Sequence, residues 1–146
     1  MYSIDEVKSY IHEEDVKFIR LAFCDINGKQ KNISIMPDEL DRAFANGISI
    51  DASAIDGFGD EVKSDLFLIP DPSTLAVLPW RPQTGRVVRM LCNIKNSDGS
   101  RFEADSRAVL KDAVAFAEDK GIYCWFGSEF EFYLFKTGDD GEATDV

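Results

Sequence analysis

Lys17-Phe18-Ile19-Arg20-Leu21-Ala22-Phe23-Cys24-Asp25-Ile26-Asn27-Gly28-Lys29-Gln30-Lys31-Asn32-Ile33-Ser34-Ile35-Met36 is the most structurally committed stretch of the chain. Residues 17–24 and 29–36 read as two strands around Asp25-Ile26-Asn27-Gly28, where Asn-Gly supplies the positive φ angles of a tight hairpin. Downstream, 37–45 reads as a helix with proline in its first turn, acids at 38, 39 and 41, and Asn46-Gly47 as its stop. Leu40 and Phe44 lie four apart, so they can pack together onto a sheet. Upstream, 3–14 reads as a short helix: Ser3 and Glu6 form a capping-box pattern, and Ile4, Val7 and Ile11 share a face. Residues 48–50 are short and apolar, and 66–69, 75–78 and 86–94 read as further strands separated by proline-rich punctuation. Asn96-Ser97-Asp98-Gly99 is a turn, and 100–103 extends a hairpin. A hairpin, a helix and then more strands predict an α+β fold over residues 1–103: a mixed sheet gripping one helix, of the β-grasp (ubiquitin-like) type.

The pattern changes near Ala104. Asp105 or Ser106 can cap a helix running to about residue 120, with Val109, Ala113, Phe116 and Lys120 on one stripe and Gly121 as its stop. Phe126-Gly127-Ser128-Glu129-Phe130-Glu131-Phe132-Tyr133-Leu134-Phe135 then reads as a strand. Alternation points Phe126, Phe130, Phe132 and Leu134 one way, and Glu129 and Glu131 the other, among Trp125, Tyr133 and Phe135. Two carboxylates at that spacing lie roughly 6.5–7 Å apart and repel by about 2.4 kcal/mol at an effective dielectric near 20. Such a pair among aromatics needs water or a bound cation. An edge strand with solvated glutamates and a cation site both satisfy the geometry. One helix and one strand cannot make a core, so 104–146 is expected to be the truncated start of a second, α/β domain.

Composition narrows the function. The 146 residues contain 45% hydrophobic side chains and eleven phenylalanines, enough for a packed core. Sixteen Lys and Arg against 27 Asp and Glu give a formal charge of −11. No basic stripe is visible for nucleic acid, and an acidic membrane surface would repel the chain. Cys24, Cys92 and Cys124 are widely spaced and odd in number, which fits free thiols in a reducing compartment. The N-terminus has no basic and apolar regions of a signal peptide, and no apolar run approaches 18 residues, so a cytoplasmic protein is expected.

The loop 51–65 carries five acids, but read as a calcium loop from Asp51 it places Ile55, Asp56 and Val62 where an oxygen ligand, glycine and glutamate are needed. A solvated loop is the simplest reading; Ile55 and Phe58, bulky and apolar beside Gly57 and Gly59, instead fit a loop that docks onto another surface. His12 is alone, and no P-loop or nucleophile elbow is present. Pro70-Asp71-Pro72-Ser73 reads as a rigid turn.

Three segments together resemble type I glutamine synthetase near its N-terminus. Asp51-Ala52-Ser53-Ala54-Ile55-Asp56-Gly57-Phe58 is similar to that family's Asp-Gly-Ser-Ser-Ile-x-Gly-Trp, and Ser64-Asp65-Leu66-Phe67-Leu68-Ile69-Pro70-Asp71-Pro72-Ser73-Thr74 to its Ser-Asp-Met-x-Leu-x-Pro-Asp-x-x-Thr. Phe126-Gly127-Ser128-Glu129-Phe130-Glu131-Phe132 is similar to its Phe-Gly-x-Glu-x-Glu-Phe, and Asp105-Ser106-Arg107 lies near its Asp-Pro-Arg. The resemblance covers almost the whole chain but only about the first third of the family's length.

It implies ATP-dependent amide formation from glutamate and ammonia through γ-glutamyl phosphate, with two magnesium or manganese ions. By that resemblance Glu129 and Glu131 are metal ligands, and Asp51 is the catalytic carboxylate given to a neighbouring subunit, where it binds ammonium and draws off a proton. Phe58 and Asp65 are assigned to substrate binding, with Phe58 standing where the family often has tryptophan and expected to touch the adjoining subunit. The implied partners are identical subunits in a double-ring dodecamer. Ala52 replaces a glycine, and Ala54 replaces a serine whose hydroxyl lies near the family's ammonium site. Relatives that ligate larger amines alter this loop, whereas the retained Asp51 favours ammonia. The ATP and glutamate sites fall beyond Val146, so the piece by itself is expected to be inactive. A free-standing β-grasp binding module is the remaining alternative.

Overall fold

The computed structural model describes residues 2–58, 65–80 and 85–144. Asp60, Glu61 and Ser64, which belong to the loop and motif above, lie outside them.

Helix α1 (Ile4–Glu13) begins at the expected capping box: Glu6 N–H donates to the Ser3 hydroxyl, and Ser3 N–H donates to the Glu6 carboxylate. Its Val7 and Ile11 are buried, while Ile4 stays exposed. Strands β1 (Val16–Cys24) and β2 (Gln30–Ile35) pair antiparallel, with Ile19 opposite Ile35 and Leu21 opposite Ile33. The turn between them differs from the expectation that Asn27 and Gly28 both supply positive φ angles. Only Gly28 takes a positive φ (77°); Asn27 does not. Asp25 N–H donates to the Lys29 carbonyl, and Gly28 N–H to the Asp25 carbonyl. This is a three-residue loop with glycine in the left-handed position. The buried Asp25 carboxylate fixes it by accepting the N–H groups of Asn27 (3.0 Å) and Lys29 (2.8 Å).

The proline-led segment is a 3-10 turn, Pro37–Glu39, followed by helix α2 (Leu40–Asn46), which Gly47 ends. Then come β3 (Ile48–Asp51), β4 (Asp65–Pro70), the two-residue β5 (Ala76–Val77) and β6 (Arg86–Asn96). The sheet order is β2-β1-β6-β4-β3, with β5 on β6. β1 and β6 are parallel and every other pair is antiparallel, so the sheet is mixed as expected. Val88, Met90, Cys92 and Ile94 of β6 alternate into the core with Ile19 and Leu21 of β1 and Leu66 and Leu68 of β4. Burial pushes the Cys92 thiol up to about 12, so it stays a neutral packing group. The core takes in α1 as well as α2, so two helices pack on the sheet where one was expected.

The expected strand at 100–103 reduces to a single bridge between Lys95 and Arg101. Helix α3 (Ser106–Glu118) is capped by Asp105, whose carboxylate accepts Arg107 N–H. The other carboxylate oxygen accepts Ile94 N–H at 2.9 Å, so this buried aspartate ties α3 to β6 across the boundary expected at 104. The apolar stripe of α3 covers little: Ala108 is buried, whereas Val109, Leu110, Val114 and Phe116 are exposed.

The strand expected at 126–135 is not formed in the described structure. Residues 122–136 carry no regular secondary structure, and the segment ends in an isolated bridge between Thr137 and Ala143. Trp125 is 95% and Phe126 88% exposed, and Phe130, Phe132 and Leu134 are exposed too. A strand satisfies its N–H and C=O groups only through a neighbour. No strand lies beside this one among the described residues, and alternation alone cannot hold it.

Candidate active site

The site is built at the far end of β3. Asp51 is its last residue, and the antiparallel register sets Asp51 directly opposite Asp65, the first residue of β4. Both are exposed. Side chains so paired stand about 4.5–5.5 Å apart at Cβ, where like charges repel. The two aspartates, distant in sequence, thus form one acidic edge, a juxtaposition that neither motif reveals alone.

Asp51 also begins the 3-10 turn Ala52–Ala54. Its Oδ1 accepts Ser53 N–H at 2.9 Å and the Ser53 hydroxyl at 2.7 Å. The hydroxyl bond first, and then the amide bond, hold the Asp51 carboxyl below the usual carboxylate range. The group is therefore an anion at neutral pH. Ala52, standing where the resembling motif has glycine, is fully buried in the core cluster; Ala54 is exposed. Sequence reasoning passed over Ser53. The signal available was Asp-x-Ser at the mouth of a turn, where a serine two residues on can donate both N–H and O–H to the aspartate.

Phe58 corrects an expectation. It is 3% exposed and packs on Phe23 at 5.9 Å and Phe102 at 5.1 Å between ring centroids. Its ring is packed into the chain's own core and does not stand exposed on the loop. The loop is pinned on its other side by Gly57, at φ 78°, where an added Cβ would come 2.1 Å from Ile26 Cδ1. Phe58 and Gly57 thus fasten the Asp51 turn to the sheet and to the β1–β2 hairpin.

Past the opposite end of β4, Asp71 opens the 3-10 turn Pro72–Thr74, so the rigid turn is present as expected. It also carries a bond absent from the sequence reading: Arg107 of α3 donates to Asp71 Oδ2 at 2.7 Å and to Asn93 Oδ1 at 2.8 Å. Burial pushes the Asp71 carboxyl up, but the hydrogen bonds from Ser73 and Arg107 outweigh it and the net shift is downward.

Glu129 and Glu131 lie in the exposed segment after α3. Among the described residues, no three His, Cys, Asp or Glu side chains gather into a group able to hold a metal ion. Two carboxylates suit a hard cation in kind, because magnesium is commonly held by one or two of them together with water and phosphate oxygens. The donor type fits such an ion, and these two side chains would supply part of its shell. No helix is long and apolar enough to cross a membrane among the described residues.

The family model for the glutamine synthetase β-grasp domain matches residues 15–97. Glutamine synthetase of Clostridium saccharobutylicum is 42% identical over 143 residues, which is 98% of this chain and 32% of that protein. Among solved structures, Plasmodium falciparum glutamine synthetase, determined by cryo-EM, superposes with a TM-score of 0.73 at 23% identity, over 83% of this chain and 23% of that one; at that identity the likeness speaks for the fold. A complex of GmaS with ADP gives a TM-score of 0.70 at 25% identity, over 78% of this chain and 26% of that one. The chain spans about a third of the length of the curated relatives it matches.

Proposed function

Because this chain belongs to the glutamine synthetase β-grasp domain family, we propose that it forms the N-terminal part of a ligase joining ammonia to the γ-carboxyl of glutamate, with ATP as phosphoryl donor. The observation that carries the reading is the exposed Asp51 carboxylate at the end of β3, whose Oδ1 is held by Ser53 inside the family-matched region. An anion there attracts ammonium and accepts its N–H bonds, leaving the nitrogen to attack γ-glutamyl phosphate once a proton is drawn off. Asp65, paired with Asp51 in register, adds charge to the same edge. Phe58 acts from the core, holding the loop in place. Glu129 and Glu131 are the metal-binding carboxylates; magnesium or manganese, when bound, neutralises phosphate charge and orients the reactants. The ADP held by the GmaS structure is in keeping with a nucleotide substrate.

Residues 104–146 open the catalytic domain in this reading. The exposed apolar faces of α3 and 122–126 border an open groove of about 580 Å³, the kind of surface that further protein covers. The whole enzyme is a cytoplasmic double ring of identical subunits, and its active sites lie between neighbours.

The test is phosphate release from ATP and glutamate by the full-length parent, with ammonia or a panel of amines, titrated with manganese. Ammonia is the expected acceptor. Glu129→Gln and Glu131→Gln each raise the manganese needed for half-maximal turnover by about tenfold or more, and an unchanged titration in both removes the metal assignment. Turnover with a larger amine alone favours the second reading, a γ-glutamyl-amine ligase, which Ala54 and its missing hydroxyl support.

A further inference from the structure

Two turns among the described residues share one arrangement. In Asp51-Ala52-Ser53 and in Asp71-Pro72-Ser73, the aspartate opens a single 3-10 turn and its Oδ1 accepts both the N–H and the hydroxyl of the serine. In the second copy the other oxygen holds a cation: Arg107 Nη2 donates to Asp71 Oδ2 at 2.7 Å, and Lys111 Nζ stands 3.9 Å away. In the first copy, Asp51 Oδ2 has no donor among the described residues, and the side chain is exposed. The same arrangement is therefore filled by a cation at one site and open to one at the other.

We propose that Ser53 is a positioning residue: by holding Oδ1, it presents Oδ2 of Asp51 to the nitrogen of an ammonium or primary-amine cation, as Oδ2 of Asp71 is presented to Arg107. This rests on the reading of Asp51 given above and adds which oxygen receives the nitrogen and what aims it. A carboxylate on a broad terminal torsion otherwise offers either oxygen in many orientations. Two donors on one oxygen remove that freedom and keep the group ionised. Asp65 of β4 is the titratable group facing Asp51, and Asp56 is the other acid of the described loop. Both are unchanged in the variants below.

Ser53→Ala and Ser53→Thr in the full-length parent test the idea. Ser53→Ala keeps the amide bond and loses the hydroxyl bond. It is expected to raise KM for ammonium about tenfold, the effect of one charge-assisted hydrogen bond, with KM for ATP unchanged. Losing that donor raises the carboxyl value, so the acid limb of kcat/KM for ammonium moves to higher pH. Ser53→Thr retains the hydroxyl and restores both quantities. In the 146-residue chain, the Asp51 carboxyl titration followed by carbon NMR moves up in Ser53→Ala and stays in Ser53→Thr. An unchanged ammonium KM and pH profile in Ser53→Ala, or damage in Ser53→Thr equal to that in Ser53→Ala, overturns the proposal. Asp51→Asn measured in parallel separates the two failures: a harmless Ser53→Ala beside an inactive Asp51→Asn ends the role of Ser53 alone, whereas full turnover in Asp51→Asn ends both.

Discussion

Asp51→Asn in the full-length parent lowers turnover by roughly 10²–10⁴-fold, the range a positioned acid–base group contributes, while folding and assembly persist. Asparagine has nearly the same shape, and its carbonyl oxygen can still accept the Ser53 N–H and hydroxyl that Asp51 Oδ1 accepts. The turn Ala52–Ala54 therefore stays capped. What disappears is the negative charge and the capacity to take a proton. The side chain is exposed, so the urea midpoint of the chain is expected not to move. The pH dependence follows from the lowered carboxyl value. Ser53 stabilises the anion, so the ionised group persists above the ordinary carboxylate range and is lost only as pH falls through its lowered value. Wild-type turnover in Asp51→Asn would remove this carboxylate from the mechanism.

Asp105→Ala destabilises the chain by about 2–4 kcal/mol, combining a lost helix cap with a buried N–H left unsatisfied. Asp105 is 2% exposed and serves two elements at once, accepting Arg107 N–H at the start of α3 and Ile94 N–H within β6. Alanine abandons both donors. Removing the cap also loosens the first turn of α3, which brings Arg107 to Asp71 and Asn93. The check is urea denaturation of the chain. With a slope of about 1–2 kcal/mol/M, the midpoint falls by roughly 1–4 M. An unchanged midpoint would mean that water takes over both donors and that α3 is not tied to the sheet through this side chain.

These cases show what the sequence discloses and what it withholds. Helix α1 was legible down to its capping box, because Ser3 and Glu6 interact within one turn. The strands of the mixed sheet were legible because strand-forming runs end at turn residues, though β6 runs two residues further than its pattern suggested. The hairpin turn was misread because Asn-Gly is a local signal, whereas the loop is fixed by the carboxylate of Asp25, which reaches to Lys29 N–H. Phe58 was misread for a similar reason. A large ring beside glycines suggests a docking loop, but the place it fills is walled by Phe23 and Phe102, from distant parts of the chain. The pairing of Asp51 with Asp65 is a consequence of β3–β4 register, and no local motif contains it. The alternation over 126–135 is real as a pattern, yet pairing is a property of two segments and the second is not among the residues described.

The account stands or falls on whether Asp51 of one subunit completes the site that contains Glu129 and Glu131 of the next. Mixing Asp51→Asn subunits with Glu131→Gln subunits, after dissociation and reassembly and at a manganese concentration too low to support turnover by Glu131→Gln alone, measures this directly. If the site is shared between neighbours, random assembly creates some interfaces in which both groups are intact, and glutamate- and ammonium-dependent phosphate release returns to about a quarter of the wild-type value. If Asp51 serves its own subunit, every site keeps one lesion, and mixing restores nothing.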